Sequence, residues 1–189
     1  MLQAMKKNLA AAAGRFLKTD AMRHLARRED GAAAIEFALV AAPFLALVFA
    51  IMESAIVFFA GQALETAVAD SARLIMTGQA QTQNFDQAAF KTQVCNRIFG
   101  LFNCAAGLSV DVKTYTSFSS VNVNYPIDAN GNLINNFTYT PGGPGDIVVV
   151  RLIYQWPMYV SLLSLNVGNM AGNKKLLVAT AAFRNELYK

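Results

Sequence analysis

Histidine, cysteine and charged side chains are scarce in this chain of 189 residues. It contains one histidine and two cysteines, and only 15% of its residues are charged. Catalytic sets built on histidine, and zinc sites built on cysteine and histidine, need several such side chains in one place. We therefore expect no catalytic residue, no metal site and no cofactor in this protein.

The two cysteines, Cys95 and Cys104, are not spaced like the cysteine pairs of zinc sites. In an oxidising compartment they could close a short loop as a disulfide, and in a reducing one they would be two small buried thiols. The sequence alone leaves both states open, and the disulfide follows only if this part of the chain is exported.

Net charge is confined to one end of the chain. Residues 1–31 hold seven Lys or Arg and three Asp or Glu, whereas the remaining residues hold nine of each kind, so the total of +4 belongs to the first segment. A nucleic-acid-binding protein would need a basic face on its folded part. We expect residues 1–31 to be a basic leader and no nucleic-acid partner.

A long apolar run follows the leader. Residues 37–52 contain no charged side chain, and the apolar character continues to Ala60. A membrane-spanning helix needs about 20 such residues, and the core of a secretory signal peptide would be only about 7–15 residues long. The pattern predicts a transmembrane anchor over residues 32–60, with the basic N-terminus in the cytoplasm.

The helix is expected to continue beyond the membrane to residue 77, with Gly78 as its C-cap. Apolar and small residues recur there at helical spacing, at Leu64, Ala67, Val68, Ser71, Ala72 and Ile75. Residues 61–78 would then be an amphipathic continuation that needs a sheet from the same chain to pack on.

Residues 79–189 read as an α+β globular domain. A second helix is predicted over residues 85–102, and strands over residues 108–115, 121–125, 146–156 and 174–183. Residues 158–170 are predicted to be an apolar helix or loop that touches a membrane or a partner. The predicted fold class is thus α+β, a long N-terminal helix packed on a small antiparallel sheet.

Three segments resemble one protein family. Gly31 with Ala32, Glu36 and Phe37 resembles the processing site of type IV-like prepilins, and residues 33–40 with Pro43 resemble its tight-adherence (Flp) branch. Residues 64–73 are similar to the segment that follows the anchor in TadE-like minor pilins. Residues 183–188 resemble their C-terminal strand, although Leu187 stands where those proteins commonly have proline.

The resemblance implies a minor pilin (pseudopilin) with a pilin-like fold that acts by assembly rather than catalysis. It implies that a prepilin peptidase cuts between Gly31 and Ala32, and that other pilins and pilus-assembly proteins bind through the N-terminal helix. The chain would lie in the bacterial inner membrane with a periplasmic C-terminal domain, with incorporation into the pilus left open. Glu36 and Phe37 would act in assembly and register, Glu36 either by pairing with the Ala32 amine of a neighbouring subunit or by staying solvated at the headgroups.

A rival hypothesis is a membrane-anchored periplasmic binding module or enzyme unrelated to pili. In it, residues 79–189 would act on a ligand, and aromatic side chains would line a carbohydrate site. The candidates are Tyr115, Tyr125, Tyr139, Tyr154 and Trp156. Such residues more often form one face of a sheet, and fold alone does not decide between these functions.

Overall fold

The computed structural model describes residues 29–98, 100, 102–159 and 168–188. Most of the predicted leader, residues 1–28, lies outside this part of the chain, as does most of the predicted apolar segment 158–170. Four helices are present among the described residues: α1 (Glu29–Met76), α2 (Gln79–Thr82), α3 (Gln87–Cys95) and α4 (Cys104–Gly107). They are joined by strands β1 (Leu108–Tyr115), β2 (Ile147–Pro157) and β3 (Lys174–Arg184), and by a short 3-10 helix, Phe118–Ser120.

The three strands form one antiparallel sheet in the order β1-β2-β3. Asp111 on β1 lies opposite Arg151 on β2, and Trp156 on β2 lies opposite Lys175 on β3. Alternate residues of a strand point to opposite faces, so one face of β2 carries an apolar row that joins the main core: Val148, Val150, Leu152, Tyr154 and Trp156. The predicted α+β class, a long helix with a small antiparallel sheet, is confirmed.

The C-terminal part of α1 supplies the other side of that core. From Ala60 onward its buried residues recur every three or four positions, which places them on one stripe of the helix. They are Ala60, Leu64, Ala67, Val68, Ser71, Ala72 and Ile75. The chain divides into two compact units, with the boundary between Val48 and Phe49. The buried stripe therefore belongs to the same unit as the sheet.

The end of α1 is fixed by Gly78 and by the C-terminal tail. Gly78 has a φ of +78°, a left-handed conformation that glycine adopts without steric cost. A Cβ atom on Gly78 would lie 2.4 Å from the ring of Tyr188, so glycine is also required for space. The N–H of Glu186 donates to the carbonyl of Met76 at 2.9 Å, which ties the tail to the last turn of the helix.

The second helix is shorter than predicted. It begins after Asp86, whose carboxylate accepts the N–H of Ala89 at 2.7 Å, and it ends at Cys95 rather than continuing to residue 102. Phe90 and Val94 of the predicted apolar stripe are buried, and Leu101 lies outside the described residues. The described residues between Cys95 and residue 102 form turns and bends instead of helix, and α4 begins only at Cys104.

The predicted strand over residues 121–125 is wrong. Residues 121–126 form no ladder with the sheet, although valine and asparagine alternate there. Instead the carbonyl of Asn124 accepts the guanidinium Nη1 of Arg151 at 3.1 Å, so this segment crosses the face of the sheet opposite α1. The period-two pattern had suggested a half-buried strand, but Val123 is exposed and the polar backbone meets the side chain of a strand residue.

Candidate functional site

The residues of the predicted processing and register site all lie near the beginning of α1. Gly31 is half-buried, and Ala32 and Glu36 are exposed. Phe37 is 74% exposed. Because Ala32 and Glu36 are four residues apart in a continuous helix, their side chains lie on the same face, one turn from each other. The helix therefore presents the carboxylate of Glu36 close to the position at which the predicted cleavage would leave a new amino group.

A continuous apolar surface follows these residues along α1. Large side chains are exposed at Ile35, Phe37, Leu39, Val40, Phe44, Leu45, Leu47, Phe49, Ile51, Met52, Ile56, Phe58 and Phe59. The most apolar window of 18 residues has no buried member, and the helix is long and apolar enough to cross a membrane. Soluble proteins rarely expose so large an apolar patch, which marks a membrane or protein interaction surface. Pro43 lies within this surface, and the helix continues beyond it to Met76.

Glu53 is the second carboxylate on this apolar surface, and it lies in the unit that contains the sheet. Its Oε1 atom accepts the backbone N–H of Tyr159, which follows β2. Between Gly31 and Gln62, Glu36 and Glu53 are the only charged side chains. One of the two thus has a protein partner that the sequence did not reveal, since the contact joins residues that are far apart in the chain.

Comparison with protein families identifies this segment. Residues 31–73 match the family model described as TadE-like protein. The match confirms the predicted TadE-like resemblance and covers α1 from Gly31 to Arg73, including the exposed apolar surface and most of the buried stripe. No curated protein and no solved structure matches the chain. The TadE-like segment is therefore the part of the molecule that resembles a known family.

Beyond the TadE-like segment, the aromatic residues of the rival hypothesis do not form one site. Tyr154 and Trp156 pack edge to face against Phe102 in the core, with ring centroids 4.8 and 5.8 Å away. Tyr115 and Tyr125 instead line a cavity of about 220 Å³ that also contacts Arg151. Among the described residues, no three His, Cys, Asp or Glu side chains are grouped so that they could hold a metal ion.

A buried ion pair on the sheet was missed by the sequence reasoning. Asp111 is almost fully buried, and its Oδ2 accepts Arg151 Nη2 at 2.6 Å and Nε at 3.1 Å. Oδ1 of Asp111 accepts the N–H of Thr138 at 2.9 Å. Together with the bond from Arg151 to Asn124, it holds both ends of the segment 124–138 to the sheet. The available signal was an acidic residue inside one predicted strand and a basic residue inside another, Asp111 and Arg151, since strand residues directly opposite each other pair across a sheet.

Cys95 and Cys104 form a disulfide in the structure, with Cα atoms 5.7 Å apart. The bond joins the last residue of α3 to the first residue of α4 and lies beside the core, outside the TadE-like segment. It closes the loop between α3 and α4, and both cysteines pack against the core of the domain. Its place indicates a role in the stability of the domain rather than in the exposed site.

Proposed function

We propose that this protein is a minor pilin, or pseudopilin, that takes part in the assembly of a tight-adherence (Flp) pilus. The observation that carries the proposal is the coincidence of three features in one helix: the TadE-like match, the exposed apolar surface and the carboxylate of Glu36. A sequence match or an apolar helix alone would be a weaker argument, because many unrelated proteins have a membrane anchor.

The proposed topology follows from charge and hydropathy. Residues 1–31 form the basic leader in the cytoplasm, residues 32–60 anchor the chain in the inner membrane, and residues 61–189 lie in the periplasm. The basic residues precede the apolar run, and the later part of the chain has no net charge, which favours this orientation. A prepilin peptidase would cut between Gly31 and Ala32, and this would remove the whole net positive charge.

Glu36 has a specific role in this proposal. A carboxylate inside the bilayer costs roughly 2.5–3.5 kcal/mol on insertion scales, so an unpaired Glu36 would not favour deep packing among apolar helices. Cleavage creates an ammonium group on Ala32, and in a bundle of parallel helices this group can pair with Glu36 of a neighbouring subunit. The pairing would offset the burial cost and fix the axial register of the two helices.

N-terminal sequencing and inner-membrane fractionation, with and without a prepilin peptidase, test the processing step. The Gly31→Leu variant should accumulate as the full-length form, because a side chain at the scissile bond prevents close approach of the backbone. Ile35→Leu is the matched control, since it keeps an exposed apolar residue one turn away and should mature normally. Maturation of Gly31→Leu at the unmutated rate would contradict the assigned cleavage site.

A second variant separates processing from assembly. Glu36→Ala should be cut like the unmutated protein, but it should not cofractionate with pilus components, because the register-setting charge is lost. Normal cofractionation of the processed Glu36→Ala protein would overturn the role given to this carboxylate. Failure of the unmutated chain itself to cofractionate with pilus components would argue for a membrane-anchored protein unrelated to pili.

A further inference from the structure

The end of β2 meets α1 beside the exposed apolar surface. Tyr159, two residues after the end of the strand, is 81% exposed, and its N–H donates to the carboxylate of Glu53. Met158, by contrast, is buried. With Ser54, Val57 and Phe58 it contributes to the lining of one groove of about 390 Å³. Two independent observations therefore place the Met158–Tyr159 tip at the level of residues 53–58 of α1.

The apolar surface of α1 extends past this level. Phe58 and Phe59 are 77% and 62% exposed and follow Glu53 by five and six residues. At 1.5 Å per residue these rings lie about 8 Å farther along the helix axis than Glu53, away from the N-terminus. A bilayer that covers the rings of Phe58 and Phe59 therefore also reaches the level at which Tyr159 contacts the helix.

The chemistry of the tip suits the membrane interface. Tyrosine has an apolar ring and a polar hydroxyl, and it is enriched where hydrocarbon meets headgroups. The basic residues beside the tip are Lys174 and Lys175, which lie on β3 opposite Pro157 and Trp156, and long lysine side chains can reach the headgroup level. The hydrogen bond from the Tyr159 backbone also satisfies part of the Glu53 carboxylate, which lowers the cost of holding that group near hydrocarbon.

We propose that the Met158–Tyr159 tip is a second membrane contact, with the ring of Tyr159 among the lipid headgroups. The argument for lipid as the occupant is continuity: the exposed tip adjoins the apolar surface of α1 that the proposed function already places in the bilayer. The inference therefore rests on that anchor. It adds that the globular domain contacts the membrane at a second point besides the anchor.

The test uses the full chain in phosphatidylcholine vesicles with an environment-sensitive fluorophore on single introduced cysteines. Labels are placed by Tyr159→Cys, by Phe44→Cys within the apolar surface of α1, and by Phe118→Cys as an exposed aromatic in the 3-10 helix. The unmutated chain, treated without reductant, measures any labelling at Cys95 and Cys104. Each label is then quenched either by spin-labelled lipid or by aqueous iodide.

The expected result is that the label at position 44 is quenched by the lipid and loses iodide quenching, with emission shifted to the blue. The label at position 159 should be quenched by the lipid and should be less accessible to iodide than the label at position 118. The label at position 118 should respond to iodide only. Lipid quenching at 44 together with iodide quenching and no lipid quenching at 159 overturns the second contact and leaves the anchor intact. Shielding of 159 from both quenchers also overturns it, because protein then covers the tip, and iodide quenching at both 44 and 159 overturns the anchor together with the contact.

Discussion

The two halves of α1 are both apolar, yet they are built for different surroundings. From Ile35 to Phe59 the exposed side chains are mostly large and distributed around the helix. From Ala60 to Ile75 the buried side chains follow one stripe, and many are alanine or serine, whereas Glu65, Asp70 and Arg73 lie away from the core. Small residues let a helix approach a sheet closely, and charged residues on the other faces keep those faces in water. Both halves of α1 are apolar, so apolarity does not distinguish them. Residue size and the distribution of charge distinguish the half that packs on the sheet, Ala60–Ile75, from the half with the exposed apolar surface, Ile35–Phe59.

The largest expected difference between the two halves of α1 is in the stability lost when one leucine in each half is replaced by alanine. Leu64 is fully buried in the core, so Leu64→Ala should destabilise the domain by about 2–5 kcal/mol through lost contacts and the remaining cavity. Leu47 is exposed on the apolar surface, and Leu47→Ala should change domain stability by no more than about 0.5 kcal/mol. Denaturant unfolding of the full chain in mild detergent, followed by near-ultraviolet circular dichroism, measures both. Equal losses would show that the two halves do not differ in the way described.

The oxidation state of Cys95 and Cys104 tests in which compartment the second half of α1 and the globular domain packed on it are located. If the domain is periplasmic, both cysteines should be joined in a disulfide. Alkylation of protein extracted from cells and denatured without reductant should then label neither of them. The Cys95→Ser/Cys104→Ser variant should then be less stable by about 2–3 kcal/mol, because the loop of the unfolded chain is no longer constrained. The same unfolding assay on the unmutated protein before and after reduction is the control. Free thiols in native cellular protein would contradict the proposed export of this half.

The smallest expected effect is a loss of stability of the globular domain at alkaline pH. Burial, with a smaller contribution from the charge of Asp86, raises the pKa of Tyr139 to about 12. The folded state thus favours the neutral phenol, so its contribution to stability is complete below pH 10 and is lost as pH rises towards 12. Tyr139→Phe should lose less stability over this interval, by about 1 kcal/mol after allowance for the part of the ring that solvent reaches.

The same variant should be nearly neutral at pH 7. The hydroxyl of Tyr139 is buried without a hydrogen-bond partner among the described residues, and its ring packs against Phe90 with centroids 5.6 Å apart. Removing an unsatisfied hydroxyl keeps the ring contact and loses no bond. Parallel stability curves for the two proteins from pH 8 to pH 12 would refute the assigned shift in the pKa of Tyr139.

Local patterns were sufficient to predict most of the elements that build the core. The alternation in Leu108–Tyr115 gave the bounds of β1, and the stripe from Leu64 to Ile75 gave the buried face of α1. Residues 121–125 show the same alternation but form no strand, because their position is decided by the guanidinium of Arg151. The apolar run predicted the helix that carries Glu36, whereas the contact of Glu53 with Tyr159 depends on tertiary structure that no local pattern contains.

The hydrogen bond between Glu186 and Met76 joins the C-terminal tail to α1, so this part of the fold forms only after the whole chain has been synthesised. Residues of α1 leave the ribosome long before β3, yet the sheet that buries Leu64 and Ile75 is incomplete until Lys174–Arg184 has arrived. Contacts between residues so distant in sequence form slowly, and uncovered apolar surface favours aggregation during that delay. If the first half of α1 is inserted in a bilayer as proposed, the buried stripe of its second half stays uncovered until β3 has been exported.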